Sequence, residues 1–167
     1  MNILSLITIT LLLAHWICIL EHAALKTCWL IIRIILMIEV VAAIIEKDGL
    51  IYCFKKGQAK FDYLSFKYEF PGGKIEPNEL HEDALKREID EELQTNIRVG
   101  EHLLSIEHQY PDFAIKLHFY ACNCDGPIVS LTEHIDLQRL PIARLRELDW
   151  LPADEPAVDY LLQQHSS

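Results

Sequence analysis

A helix predicted over Glu79–Leu93 carries both a core-facing stripe and a row of acids. At 100° per residue, three apolar side chains form one stripe, namely Leu85, Ile89 and Leu93. Three carboxylates fall together on a neighbouring face, namely Glu88, Glu91 and Glu92. Any fold of this chain must therefore bury one face of the helix and leave clustered carboxylates on the next.

Carboxylates this close repel one another by roughly 0.2–0.5 kcal/mol per neighbouring pair. A divalent hard cation removes the conflict, because it binds several oxygen ligands at once and Mg²⁺ also accepts water and substrate phosphates. The small Ala84 leaves open space over this face. The alternative, for Glu-x-x-Glu-Glu taken alone, is an acidic helix that is merely solvated.

Fixed spacing upstream of the acids favours the cation site. Residues 73–92 fit the pattern G-x5-E-x7-R-E-x-x-E-E, filled by Gly73, Glu79, Arg87, Glu88, Glu91 and Glu92. Six fixed residues at roughly one-in-fifteen usage coincide by chance about once in ten million starting points. The pattern resembles the Nudix box. Three flanking segments resemble the MutT and CTP pyrophosphohydrolase branch of the Nudix hydrolases: IEVVAAIIE (38–46), EFPGGKIEP (69–77) and LPADEP (151–156).

The resemblance extends over residues 37–167 and implies an α+β domain, an α/β/α sandwich with a mixed β-sheet. It implies Mg²⁺-dependent hydrolysis, with Mn²⁺ as a substitute, of a nucleoside triphosphate to monophosphate and pyrophosphate. By position, the implied metal ligands are Glu88, Glu91, Glu92 and the backbone carbonyl of Gly73. Arg87 is expected to pair with Glu79 and so fix the loop against the helix.

Further catalytic roles come from the same resemblance. Glu88 can serve as the general base if metal does not saturate it, and Glu133 matches a late glutamate of related enzymes. The alternative for Glu133 is an exposed loop acid. Lys56 and Lys74 lie where phosphate-contacting cations are expected, although either could be an ordinary surface lysine.

The residues that select the nucleobase of the substrate must lie outside residues 73–92. The same resemblance implies that Asp154, in LPADEP, faces the base, and an ionised carboxylate there accepts hydrogen bonds from an amino group such as cytosine N4. Unmodified guanine would be repelled, whereas an oxidised guanine with a proton on N7 would be tolerated. Tyr110 is expected to stack on the base, although it could equally be a core side chain, and Phe70 is a further binding candidate. Phe113 replaces an arginine of the MutT pattern.

Two positions depart from the family pattern. Gln94 stands where a glycine normally ends the helix, which predicts a cost of about 1 kcal/mol or a displaced cap near Asn96. His81 stands where relatives often have Ser or Thr, which predicts a weak N-terminal cap. Four other histidines show no ligand spacing and are predicted to be structural or exposed: His102, His108, His118 and His165.

The other predicted elements are mostly strands. The expected strands are 38–45, 50–54 (joined to the first by an Asp-Gly turn), 66–70, 97–108, 114–122 and 135–140, with helices over 142–148 and 155–164. Cys53 and Cys122 are predicted to pack inside strands. The chain has five cysteines and no C-x-x-C pair, which suits a reducing compartment.

Composition divides the chain in two. Residues 1–36 contain 26 apolar side chains and carry net charge +1, which leaves net −11 for residues 37–167. An acidic domain repels phosphate backbones, so a nucleic-acid polymer is an unsuitable partner. Residues 1–36 are predicted either to anchor a cytoplasmic Nudix domain to a membrane or to lie upstream of a functional start at Met37. The domain itself is expected to be a monomer or homodimer.

The favoured hypothesis is a nucleoside triphosphate pyrophosphatase acting on cytidine nucleotides or on oxidised deoxynucleotides such as 8-oxo-dGTP. A second hypothesis is a Nudix hydrolase of a dinucleotide or nucleotide sugar, although the short chain offers no additional domain for a second moiety. A third is a membrane-tethered nucleotide-binding module that has lost turnover. The intact carboxylate set disfavours this last alternative.

Overall fold

A computed structural model describes residues 37–124, 126–128 and 130–165. The chain divides into two units, residues 1–37 and 38–167. The described strands are β1 (Ile38–Lys47), β2 (Leu50–Lys56), β3 (Tyr68–Glu69), β4 (Gly72–Lys74), β5 (Ile97–Gln109), β6 (Ala114–Cys124) and β7 (His134–Leu140). The described α-helices are α1 (His81–Leu93) and α2 (Glu155–His165), and 3-10 helices cover Asp62–Leu64 and Ile142–Glu147.

Strand β1 is the centre of a mixed sheet. It runs parallel to β6, with Ile38 opposite Ile115 and Ile45 opposite Cys122. On its other side it pairs antiparallel with β4, and its last residues pair with β2. β5 adds to β6, while β3 and β7 flank β2, all antiparallel. The predicted mixed sheet is confirmed.

Both faces of the sheet are covered, which explains why β1 reads as an almost continuous apolar run. Ala42 and Ile44 face one core with Phe70 and the α2 residues Ala157 and Val158. The alternate residues of β1 face a second core, built on Val41, Ala43 and Ile45 with α1 packed over them. Because side chains alternate along a strand, β1 contributes to both layers and the result is a sandwich with one helix on each face.

Helix α1 buries the predicted stripe completely, since Leu85, Ile89 and Leu93 have no exposed surface. It begins at His81 rather than at the predicted Glu79, because Leu80 has extended dihedral angles and makes no side-chain cap. The helix ends without a displaced cap. Gln94 itself adopts the left-handed conformation, with φ 49° and ψ 45°.

Two other boundaries correct the sequence prediction. The strand expected over 66–70 is only Tyr68–Glu69, because Phe66 has φ 63° and Pro71 has no amide hydrogen to donate. The chain then forms β4, which was not predicted. The helix expected over 142–148 is a 3-10 helix over Ile142–Glu147. The Asp48-Gly49 turn was predicted correctly, and both residues have the positive φ angles of a tight hairpin.

Cys53 and Cys122 are buried free thiols inside strands, as predicted. Burial raises the pKa of each thiol to about 12, which keeps both unreactive. Over the part of the chain that the structure describes, no helix combines the length and the apolar character that crossing a bilayer requires. The predicted membrane segment, residues 1–36, lies outside the described residues.

Candidate active site

Two glycines of β4 bring the sheet against the acidic face of α1. A Cβ on Gly73 would lie 2.2 Å from Cδ of Glu88, and a Cβ on Gly72 would lie 2.1 Å from the carbonyl oxygen of Val41. Gly72 also has φ 149°. A side chain fits at neither position, so the Gly-Gly pair is required for the carboxylate of Glu88 to reach the strand.

Arg87 joins the loop before α1 to the helix. Its Nε and Nη2 donate to the two carboxylate oxygens of Glu79, each at 2.9 Å, and Nη2 also donates to the Lys74 carbonyl at 3.0 Å. Its Nη1 donates to Oε1 of Glu88 at 2.8 Å. The hydrogen bonds from Arg87 lower the pKa of Glu79 to about 2, so the pair stays charged over the neutral range. The structure thus brings Arg87 and Glu79 together.

Glu92 is a buried acid surrounded by other acids. Its side chain accepts a hydrogen bond from the Gly72 amide at 3.3 Å, and the residue is only 6% exposed. Burial, followed by the charges of Glu69 and Glu133, raises its pKa to about 8. A site that stabilises negative charge this poorly has the electrostatics of a cation site, and its donors are all oxygen, as Mg²⁺ prefers.

The three glutamates are held differently. Glu88 is bound to Arg87, Glu92 turns toward Gly72, and Glu91 is 62% exposed in its side chain. Their carboxylates do not form a compact triad. Within residues 37–124, 126–128 and 130–165, the tight cluster of metal-binding side chains is a different one: Glu39, His81 and His118.

Lys56 lies beside the acidic face but is already paired. Its Nζ donates to Oε1 of Glu69 at 2.9 Å, and the same oxygen accepts from Nε2 of His134 at 3.0 Å. Burial opposes the charge of Lys56, but Glu69 outweighs it and raises the lysine pKa. Nδ1 of His134 has no hydrogen-bond partner among the described atoms. Sequence reasoning missed Glu69 and His134, which meet Lys56 only in the folded sheet.

A cleft runs from this charged region into the sandwich. Its inner part, about 290 Å³, is lined by Phe70, Gly72, Tyr110 and Asp154 among others. A wider outer part, about 750 Å³, is lined by Lys60, Thr132 and Glu133, and both parts share Lys56 and Lys74. The structure therefore places the predicted substrate-binding residues and Glu133 along one cleft.

Aromatic rings form one wall of that cleft. Tyr110 and Phe113 lie 5.0 Å apart between ring centroids, and Tyr63 stacks on Tyr110 at 5.7 Å. Phe61 extends the wall at 5.7 Å from Phe113. Tyr63 and Phe61 come from the segment between β2 and β3, which the sequence analysis did not single out.

Asp154 closes the inner end. It is 3% exposed, and Oδ1 accepts a hydrogen bond from the Phe70 amide at 3.0 Å. Burial raises the pKa of Asp154 well above its ordinary value, against the opposing effect of the Phe70 amide. Burial thus disfavours the ionised form that the sequence analysis assumed for Asp154, and its role in base recognition stays a prediction.

The NUDIX domain family model matches residues 40–160. The chain is also 45% identical over 123 residues to the CTP pyrophosphohydrolase of Escherichia coli strain K12, covering 74% of this chain and 90% of that protein. This chain belongs to the Nudix hydrolase family. The family membership predicted from residues 73–92 is confirmed.

Two further relatives place this Nudix hydrolase among MutT-like proteins. It is 38% identical over 96 residues to the 8-oxo-dGTP diphosphatase of Escherichia coli strain K12, covering 58% of this chain and 74% of that protein. The solution NMR structure of the Nudix hydrolase MutT from methicillin-resistant Staphylococcus aureus 252 matches with TM-score 0.62 and 38% identity. That match covers 77% of this chain and 97% of the other. The predicted Nudix fold is confirmed.

Nudix hydrolases use a divalent cation, and the oxygen donors on α1 suit one. In this Nudix hydrolase the helix that carries the acids keeps its usual end even though Gln94 replaces glycine. At the other end the N-cap is Leu80, which makes no side-chain cap, and His81 is the first helical residue, with Nδ1 2.8 Å from the Tyr120 hydroxyl. The oligomeric state of the domain, monomer or homodimer, stays a prediction.

Proposed function

We propose that the protein is a Mg²⁺-dependent pyrophosphatase of nucleoside triphosphates that releases monophosphate and pyrophosphate. Its substrates are cytidine triphosphates and oxidised deoxynucleotides such as 8-oxo-dGTP. The names of the E. coli relatives support both substrate classes. Mn²⁺ substitutes for Mg²⁺, because both take oxygen ligands.

One observation carries the proposal: Gly72 joins the acidic face of α1 to the cleft. Its amide contacts the Glu92 carboxylate, and the same residue lines the inner cavity that ends at Asp154. A nucleotide with its base beside Asp154 therefore has its phosphates directed toward Glu92 and the lysines. The reacting phosphorus and the base are recognised at opposite ends of one continuous cleft.

The cation-binding residues are Glu88, Glu91, Glu92 and the carbonyl of Gly73. When bound, the cation neutralises charge on the phosphate oxygens and orients water for attack. Arg87 fixes Glu88 relative to the loop, so the ligand set is positioned before substrate arrives. Lys56 and Lys74 attract the phosphates, and Glu69 holds the Lys56 ammonium in place.

Glu133 is the proposed general base. Glu88 is less suited, because one of its oxygens already accepts a hydrogen bond from Arg87. Glu133 is exposed at the outer cleft, and its charge acts on both Lys56 and Glu92, so it lies beside the expected phosphate position. It takes the proton of the attacking water there.

Asp154 is the proposed discriminator between bases. A neutral carboxylic acid offers one donor and one acceptor. It can pair with cytosine, which presents the N4 amino group beside the N3 acceptor, and with oxidised guanine, which presents N7–H beside O6. Unmodified guanine presents two acceptors, N7 and O6, and leaves one of them facing the acid's carbonyl lone pair. The same neutral acid thus accounts for both substrate classes and for rejection of normal guanine.

The deciding experiment incubates the full chain and MgCl₂ with a panel of nucleoside triphosphates, including 8-oxo-dGTP, and measures monophosphate and pyrophosphate. Release of both from CTP, dCTP or 8-oxo-dGTP, with much slower turnover of dGTP, supports the proposal. Binding of nucleotides without turnover of any triphosphate overturns it in favour of a binding module. Faster turnover of a dinucleotide or nucleotide sugar overturns the substrate assignment.

A further inference from the structure

A second group of metal-binding side chains lies away from the carboxylates of α1. It joins β1, α1 and β6 through Glu39, His81 and His118, which offer ligand atoms within 4.8 Å of one another. Oε2 of Glu39 and Nε2 of His118 are 2.7 Å apart, and the two imidazole centroids are 4.5 Å apart. His118 is buried, His81 is partly buried and Glu39 reaches solvent, so an ion could enter from the Glu39 side.

Neighbouring hydroxyl groups orient both imidazoles. Oγ of Ser105 lies 2.6 Å from Nδ1 of His118, and the hydroxyl of Tyr120 lies 2.8 Å from Nδ1 of His81. His102 contacts Ser105 in turn, at 2.7 Å. Histidines that bind metals characteristically use their second ring nitrogen in this way, because the outer hydrogen bond fixes the tautomer and the ring plane.

The donor set differs chemically from that of the Nudix carboxylates. Two imidazoles and one carboxylate suit Zn²⁺ and related first-row metals, whereas Mg²⁺ selects oxygen donors alone. Three protein ligands leave a fourth tetrahedral position open for water. We propose that Glu39, His81 and His118 form a Zn²⁺ site distinct from the catalytic cation site.

The position of this site gives it a structural role. His81 is the first residue of α1, whose start has no side-chain cap, and the other two ligands belong to paired strands of the sheet. His81 and Glu88 are seven residues apart, about 10 Å along the axis at 1.5 Å per residue. Zn²⁺ would therefore tie the start of the helix to the sheet about two turns before Glu88.

Lys116 opposes metal binding. Its Nζ lies 3.8 Å from Oε1 of Glu39, where it offers the carboxylate an alternative cation. A Lys116→Met substitution is therefore expected to tighten Zn²⁺ binding by removing the competitor.

The test is calorimetric titration of the full, chelator-treated chain with ZnCl₂ in excess MgCl₂, which fills the carboxylate site. Co²⁺ provides a second readout, since bound Co²⁺ gives d–d absorption bands and a thiolate ligand would add charge-transfer bands. The expected result is one Zn²⁺ per chain, Co²⁺ bands without thiolate features, and a Tm that rises with ZnCl₂.

Substitutions separate this site from the alternatives. His81→Asn and His118→Asn should each weaken Zn²⁺ binding by more than about 100-fold, beyond the roughly 10–100-fold that loss of an outer partner such as Ser105 costs. His165→Asn and Glu91→Gln, which alter a distant histidine and the carboxylate site, should bind Zn²⁺ as wild type. Because His118 is buried and its replacement could unfold the chain, His81→Asn is the decisive variant. The proposal is overturned if wild type binds Zn²⁺ no more tightly than His81→Asn.

Discussion

Arg87 holds Glu79 through two parallel hydrogen bonds of 2.9 Å, from Nε to Oε1 and from Nη2 to Oε2. Such a paired contact fixes both direction and distance, which a lysine could not do. It joins the loop that follows β4 to the helix that carries the acids. The stability of this junction is therefore linked to the ionisation of Glu79.

The first prediction concerns acid stability. The pKa of Glu79 is lowered from its ordinary 4.5 to about 2, so its ionised form stabilises the fold above pH 4.5 and that stabilisation disappears as pH falls toward 2. Urea unfolding should give wild type a larger free energy of unfolding than Glu79→Gln. This difference should be constant near neutrality and decline below pH 4.5. A difference independent of pH would contradict the assignment.

The second prediction concerns the contact between Gly73 and Glu88. Gly73→Ala places a Cβ within 2.2 Å of the Glu88 carboxyl carbon, so the carboxylate must move. We expect a stability loss of about 1–3 kcal/mol and a higher Mg²⁺ requirement for turnover. Gly49→Ala is the matched control: it has φ 73° but no atom near the new Cβ, so it should lose stability without altering the Mg²⁺ requirement.

The third prediction links activity to stability at Glu92. Because burial raises the pKa of Glu92 to about 8, wild type must protonate this acid when it folds at neutral pH. Glu92→Gln avoids that cost, so without divalent cations its free energy of unfolding should exceed that of wild type by about 1–3 kcal/mol. Saturating Mg²⁺ should stabilise wild type but not the variant, and turnover should be lost. Glu82→Gln changes an exposed acid of the same helix and should show neither effect. Equal stabilisation of Glu92→Gln by Mg²⁺ would exclude Glu92 as a ligand.

The fourth prediction separates the two candidates for the base. Glu133→Gln should lower kcat by about 10²–10⁴-fold and leave the Mg²⁺ requirement nearly unchanged. Glu88→Gln should raise that requirement, because it removes a ligand. Glu107→Gln, an exposed acid of β5, serves as the control. If Glu133→Gln keeps wild-type kcat, the role of base passes to Glu88.

The fifth prediction follows from the raised pKa of Asp154. The neutral acid is favoured in the fold, so both stability and base recognition should decline as pH rises through that pKa, and KM for CTP should increase. Asp154→Asn keeps one donor and one acceptor at every pH, so its KM and relative stability should not follow this trend. Asp154→Ala should lose recognition altogether. A wild-type KM that falls with rising pH would favour the ionised carboxylate.

The carboxylate helix was readable from the sequence because its determinants are local. Glu88, Glu91 and Glu92 share a face through helical periodicity, and Arg87 lies only eight residues from Glu79. The apolar stripe follows the same geometry, so the buried face of α1 could be predicted as well.

Contacts that depend on strand register could not be read in this way. Lys56 and His134 converge on Glu69 across three strands, and His118 reaches Glu39 because β1 lies parallel to β6. The left-handed Gln94 illustrates a different limit. The sequence predicted a free-energy cost for a left-handed glutamine or a displaced cap. In the structure the cap stays where a glycine would stand, between the buried Leu93 and the following strand.

Because side chains alternate along β1, the two faces of this strand support different parts of the enzyme. Residues such as Val40 and Ala42 border the cleft that we propose for the base, whereas Ala43 and Ile45 support the helix that carries the acids. Substitutions in the first set can retune which nucleotide is accepted while the hydrolytic apparatus stays intact. Insertion of a single residue in this strand would exchange the two sets and abolish both at once. Substrate range can therefore diverge rapidly in such a scaffold by point substitution, and hardly at all by changes in the length of its central strand.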